Sequence, residues 1–326
     1  MKTKWSLFFL SLALVAAASV PCAERARAQT YPTKPISFIV PFPAGTGNDV
    51  IARIIGDKLT KSLGKPVVID NKAGAAGAIG GEAAAKAPPD GHSIIIASTT
   101  LSINMSVSKV NYDLVKDFSP VILLGTMPYS LLVPTSLPVK SIKELVELLQ
   151  SKPGQFNLGS NGVGGAPHLL AEMLKMVSKV DIVHVPYKGT NEVVADLLAG
   201  RVHLLFAPLV TGKPFVQDGR LRALGVCGNK RSPALPAVPT MAEAGYPALD
   251  IPNWYAILAP AATPKAIVST LNAEVAKIMG MADVKERLTF QGVEPRSSTP
   301  EEAAAYIRQD VTTWAKVIKD SGVQMK

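Results

Sequence analysis

The sequence predicts an α/β protein of two lobes with a ligand cleft between them. Strand-like runs alternate with helical ones, the alternation restarts after a polar, Pro-rich break from Pro134 to Lys140, and Gly-rich polar loops fall where strands give way to helices. A βα rhythm implies a mostly parallel sheet covered on both faces. In such sheets ligands lie beyond the carboxyl ends of the strands, so two series of similar size are expected to enclose a cleft there.

The chain opens with Lys2 and Lys4 before an apolar run from Trp5 to Val20, and Ala26-Arg27-Ala28 forms an A-x-A cleavage site before Gln29. This is the pattern of a secretory signal peptide over residues 1–28. The run is shorter than the roughly 20 residues a spanning helix needs, and no later segment approaches that length, so a soluble exported protein is expected. Cleavage would remove Cys22 and leave Cys227 as the single thiol, which excludes an intramolecular disulfide. The whole chain carries +9, and loss of four basic leader residues against Glu24 leaves the mature protein at +6. That excess is spread without an Arg/Lys cluster or interleaved aromatics, which argues against nucleic acid as a partner.

The first strand, Ile36 to Val40, runs into Pro41-Phe42-Pro43-Ala44-Gly45-Thr46-Gly47-Asn48-Asp49. Behind it Val50, Ile51, Ile54, Ile55, Leu59 and Leu63 recur at helical spacing, with Asn48 or Asp49 expected as the N-cap. A Gly-rich turn that opens a helix presents unpartnered N–H groups beside the positive end of the dipole, a cradle for carboxylate or phosphate. Taken alone, the loop is equally readable as an ordinary βα turn. Val67 to Ile69, a helix over 77–87, Ser93 to Ala97 followed by Ser98-Thr99-Thr100, and Val121 to Leu124 complete the first series.

The second series reads as a helix over 141–150, a strand at 156–159, a helix over 167–176 opened by Ser160-Asn161-Gly162-Val163-Gly164-Gly165, and Val183 to Pro186. Tyr187-Lys188-Gly189-Thr190 then leads into a helix over 193–199 and a strand over 202–207. Four polar loops converging on one cleft outweigh the ordinary-turn reading of any one of them. They offer hydroxyl, amide and backbone donors, with Lys188 the main source of formal charge. Pro252 to Leu258 is a strand returning to the first lobe, with Asn253 or Trp254 near the cleft and Trp254 weighted toward the core. Helices over 264–280, 283–291 and 300–321 finish the chain, the last with apolar Ala305, Ile307, Val311, Trp314 and Val317.

Enzyme signatures are incomplete. Gly159-Ser160-Asn161-Gly162 lacks the elbow glycine, since Leu158 stands there. Gly162-Val163-Gly164 and Gly45-Thr46-Gly47 lack the third glycine of a dinucleotide fingerprint, and neither loop ends as a P-loop. His92, His168, His184 and His203 have no zinc spacing, so neither metal nor cofactor is expected.

Several of these segments carry a family resemblance. Tyr31-Pro32-Thr33-Lys34-Pro35-Ile36, Val40-Pro41-Phe42-Pro43-Ala44-Gly45, Asp49, Asp70-Asn71-Lys72-Ala73-Gly74-Ala75, Pro89-Asp90-Gly91-His92, Lys116-Asp117-Phe118, His184-Val185-Pro186-Tyr187-Lys188-Gly189 and Arg231-Ser232-Pro233-Ala234-Leu235-Pro236 resemble the Bug-type, or TctC-like, periplasmic solute-binding proteins of tripartite tricarboxylate transporters. The resemblance spans nearly the whole mature chain. It implies a type II-like Venus flytrap, with 29–128 plus 251–326 as lobe 1, 129–250 as lobe 2 and the final helix assignable to either. It also implies a monomeric periplasmic receptor that presents a small carboxylate to membrane permease subunits. Carried over by position, Phe42, Ala44, Gly45, Thr46, Gly47, Asn48, Ser98 and Thr99 hold one carboxylate. Ser160, Asn161, Gly162, Lys188 and Thr190 meet the ligand from lobe 2; His168, at a helix start beside the Gly-rich loop, is a further candidate weighted toward packing or capping, and Ala207 and Asn253 stand at the margin.

One departure bears on specificity. The resemblance implies an aspartate in many relatives just after the strand ending at Phe206, where this chain has Ala207-Pro208; its absence favours a ligand without an amine, a dicarboxylate or an aromatic acid. Two alternatives stand beside the receptor: an exported hydrolase using Ser160 with His168, and a sensor whose closure a signalling partner reads.

Overall fold

The computed structural model describes residues 31–228, 230–250 and 253–321. The expected signal peptide, with Cys22, lies outside the described residues. Residues from Lys34 onward form one compact unit built on two sheets.

The first sheet contains β1 (Ile36–Val40), β2 (Val67–Asn71), β3 (Ser93–Ser98), β4 (Phe118–Thr126), β10 (Trp254–Pro260) and β11 (Glu294–Pro295), in the order β11-β4-β10-β3-β1-β2. The second contains β5 (Tyr129–Pro134), β6 (Asn157–Ser160), β7 (Val183–Pro186), β8 (Leu204–Pro208) and β9 (Leu221–Val226), in the order β7-β6-β8-β5-β9. Neither sheet is all parallel; apart from the two-residue β11, which pairs antiparallel with β4, the exceptions have a common cause. β10 lies antiparallel between β3 and β4, and β5 lies antiparallel between β8 and β9. Each is the strand by which the chain enters one half directly from the other. It starts at the cleft edge, with Trp254 opposite Thr126 and Tyr129 opposite Pro208, so it must run against strands that end there.

The helices are α1 (Gly47–Leu63), α2 (Ala78–Ala85), α3 (Thr99–Val107), α4 (Ile142–Ser151), α5 (Ala166–Ser178), α6 (Thr190–Leu198), α7 (Leu209–Gln217), α8 (Lys265–Gly280), α9 (Ala282–Phe290) and α10 (Pro300–Ser321). The predicted stripe of α1 is buried at Ile51, Ile54, Ile55 and Leu59. Its N-cap is Thr46, in extended conformation, rather than Asn48 or Asp49. None of these helices is long and apolar enough to cross a membrane.

The halves have separate cores. Ile39, Ile95, Leu123, Trp254 and Leu258 pack around the first sheet, and Leu131, Leu158, Leu170, Leu174 and Phe206 around the second. Helix α10 belongs to both, because Ala303 and Ile307 join the first core while Trp314 lies in the second. Trp254, fully buried, stands edge-on to Tyr306 at a centroid distance of 6.2 Å and is a core residue.

Candidate functional site

Five helices begin where the carboxyl ends of the strands meet: α1 after β1, α3 after β3, α5 after β6, α6 after β7 and α7 after β8. At none of the five does the N-cap side chain bond a backbone N–H. Helix α4, outside this group, is conventionally capped, with Ser141 Oγ accepting from Glu144 N. These ends turn the positive poles of five dipoles toward a shared space, with N–H donors left over at their first turns except at Leu209 of α7, whose N–H donates to the Pro128 carbonyl.

That space is a narrow cavity, with about 10 Å³ open to the centre of a water-sized sphere. Its wall takes Phe42, Thr46, Gly47 and Asn48 from the β1–α1 turn, Thr100 from α3 and Tyr255 from β10 on one side. Tyr129, Asn161, Pro167, Thr190 and Pro208 line the other. No lining side chain is formally charged. Buried Asn48 and Asn161 each keep one amide atom without a partner, Nδ2 and Oδ1 respectively. A buried polar atom is costly to leave unpaired, so two at one cavity mark a place made for polar contact. Thr100 Oγ1 and Tyr129 Oη lie 3.2 Å apart across the cavity, and burial pushes the Tyr129 and Tyr255 phenols well above their ordinary pKa, keeping them protonated donors.

The Gly-rich turn is fixed from behind by Asp49. Its carboxylate accepts from Gly45 N at 2.9 Å, Arg53 Nε at 2.8 Å and Asn71 Nδ2 at 2.9 Å, while Asn71 Nδ2 also reaches the Phe42 carbonyl. Burial alone would raise the Asp49 pKa, but the hydrogen bonds from Arg53, Gly45 and Asn71 hold it below the usual carboxylate value. At Gly47 an added Cβ would lie 2.8 Å from Tyr255 Oη, which explains glycine at this helix start.

Of the residues expected to meet ligand, Phe42, Thr46, Gly47, Asn48, Asn161 and Thr190 line the cavity. The others sit nearby or beneath it. Ala44 and Gly45 are exposed on the outer rim, and Lys188 is exposed with only its backbone N–H held, by Glu192. Ser98 is the N-cap of α3, and Thr99 Oγ1 accepts from Trp254 N at 3.0 Å. Ala207, in β8 of the second sheet, is fully buried, its successor Pro208 lining the cavity in its place. Asn253 is buried and donates to Tyr255 Oη at 2.8 Å, which makes it a support for that phenol. Thr100 lies in the polar loop and Pro208 in the Ala207-Pro208 pair that the sequence singled out, whereas Tyr129, Pro167 and Tyr255 are lining residues it did not place at the cleft.

Ser160 and His168 lie beneath the loop they flank, and not as the dyad a hydrolase would need. Ser160 Oγ is fully buried, 2.7 Å from His184 Nε2 and hydrogen-bonded to both N and O of Gly162. His168 Nδ1 accepts from Gly164 N, and its ring stacks on His184 at 3.7 Å and 9°. Burial pushes both imidazoles down to about 4, helped for His168 by Lys175 and for His184 by His168. Gly162, at φ +122°, packs against Ala76 of the first half. Among the described residues no group of three His, Cys, Asp or Glu side chains could hold a metal ion.

Comparison with known proteins places this geometry in a family. Residues 51–323 match the family described as tripartite tricarboxylate transporter family receptor, TctC. Protein BugT of Bordetella pertussis (strain Tohama I) is 34% identical over 312 residues, covering 95% of this chain and 96% of its own. The structure of the periplasmic binding protein BugD superposes with a TM-score of 0.87 at 33% identity, covering 91% and 100% of the two chains. The R. palustris protein Rpa4515, solved with adipate, gives 0.85 at 35% identity, covering 90% and 99%.

Proposed function

The chain belongs to the tripartite tricarboxylate transporter receptor family, of the Bug type, and from that premise we propose that it captures a small dicarboxylate or aromatic acid between its two lobes. It then delivers the acid to membrane permease subunits. The observation that carries the reading is the cavity wall itself: starts of five helices without side-chain caps, neutral hydroxyls and the unpartnered Asn48 Nδ2 donor, with no charged side chain. Such a wall binds anions through oriented N–H donors and dipoles. It offers an ammonium group no carboxylate, since none lines the cavity and Ala207-Pro208 supplies none. A relative solved with adipate supports the dicarboxylate end of this range.

The lobes in this reading are 29–128 plus 251–326 and 129–250, with α10 spanning both. The protein is exported to the periplasm, acts as a monomer, uses no cofactor and performs no chemistry on its ligand. Ser160 serves the loop rather than catalysis, since its hydroxyl is bonded within a buried cluster.

A thermal-shift screen of mono-, di- and tricarboxylates, aromatic acids and amino acids tests it, because a ligand at a hundred times its Kd adds about 2.7 kcal/mol. The expected result is a raised melting temperature for dicarboxylic or aromatic acids, none for aspartate or glutamate, and recovery of the compound unchanged by mass spectrometry. Selective stabilisation by an amino acid, or conversion of the compound to product, would overturn it.

A further inference from the structure

Outside the cavity wall, the two cradle loops touch at its rim. Asn191 of α6 donates through Nδ2 to the carbonyl of Ala44 at 2.8 Å, and the Cβ position of Gly45 lies 3.4 Å from the same nitrogen. Beside this bond Gly189 faces Pro43. A Cβ added at Gly189 would stand 2.4 Å from Pro43 Cγ and 3.2 Å from Cδ. The ring of a proline cannot swing away as a flexible side chain would.

The backbone at Gly189 does not itself require glycine. Its φ of −162° and ψ of 164° are extended, a conformation open to any residue. Glycine is needed there because the opposite loop comes so close, and that approach exists only while the halves are together. Neither Gly189 nor Asn191 lines the cavity, yet their neighbours Thr190 and Phe42 do, so the rim contact closes the space directly beside the ligand donors.

We infer that Gly189 and Asn191 of the second half, against Pro43 and Ala44 of the first, form the contact that holds the cleft shut. These two residues are positioning residues: they set affinity through the closed population, without touching ligand. The inference rests on the receptor reading for its effect on affinity; the contact itself is made between residues of the chain alone.

Spin labels on cysteines replacing the exposed Lys61 of α1 and Ala195 of α6 report the separation of the halves, and buried Cys227 is protected from labelling. The expected result is a short distance in wild type, with Gly189→Ala and Asn191→Ala both moving population to a longer one at an unchanged melting temperature. Distributions identical to wild type in both variants overturn the inference, as does a wild type that shows only the long distance. Adipate titration adds a separate arm: where wild type binds it, Gly189→Ala weakens binding by about ten-fold or more, in step with the lost closed population. A wild type blind to adipate whose lobe distance still responds to the variants counts against the dicarboxylate reading and leaves the contact standing.

Discussion

His168 and His184 lie face to face at 3.7 Å under the loop that presents Asn161, with both pKa values pushed from 6.5 to about 4 by burial. A depressed histidine pKa means that the folded state prefers the neutral ring, while the unfolded chain takes up protons from about pH 6.5 downward. Their contribution is therefore fully present above pH 6.5 and lost as pH falls toward 4. Urea unfolding at pH 7 and pH 5 should show a fall in stability, and His184→Gln should flatten that slope relative to wild type. Asp49 acts at the same scale: Asp49→Ala removes the acceptor for Gly45, Arg53 and Asn71. It should cost about 1–3 kcal/mol in urea melts. The β1–α1 turn was legible because glycines and a following apolar stripe are local signals. Tyr129 and Tyr255 were not, because the sheet register brings them to the cavity from distant strands. Ser160, legible as a loop donor, turns inward because His184 sits under it.

At the level of elements, the predicted βα units recur at nearly their expected positions, since each carries its own periodicity. Helix α3 escaped because Leu101, Ile103, Met105 and Val107 alternate with polar residues, which reads as a strand. It is helical because Thr99 through Asn104 are all buried, so tertiary burial overrides the local pattern. Helix α7 holds Gly212 and Pro214, which signal a break in any local reading. The antiparallel courses of β5 and β10 follow from crossing between halves, which no local period encodes. Helix α10 ties the halves together through Trp314, which is 5% exposed in the second core. Trp314→Ala should cost about 3–5 kcal/mol in thermal or urea unfolding, whereas an exposed position of the same helix should cost little.

For the whole molecule, the account depends on what holds an anion where the wall has no cation. Lys188, the natural candidate from sequence, is exposed and outside the wall. Lys188→Ala should leave affinity within about three-fold, the range expected of an exposed charge. Asn48→Ala should weaken it by about ten-fold or more, the loss of one buried hydrogen bond from Asn48 Nδ2 to a charged group. Calorimetry on the two variants separates the alternatives. The most direct measurement compares succinate, adipate and suberate with their diamides by titration into wild type. The account predicts heat and saturable binding for at least one diacid and none for the diamide of the same skeleton. Equal binding of acid and diamide, or binding only of a cationic counterpart, would contradict it.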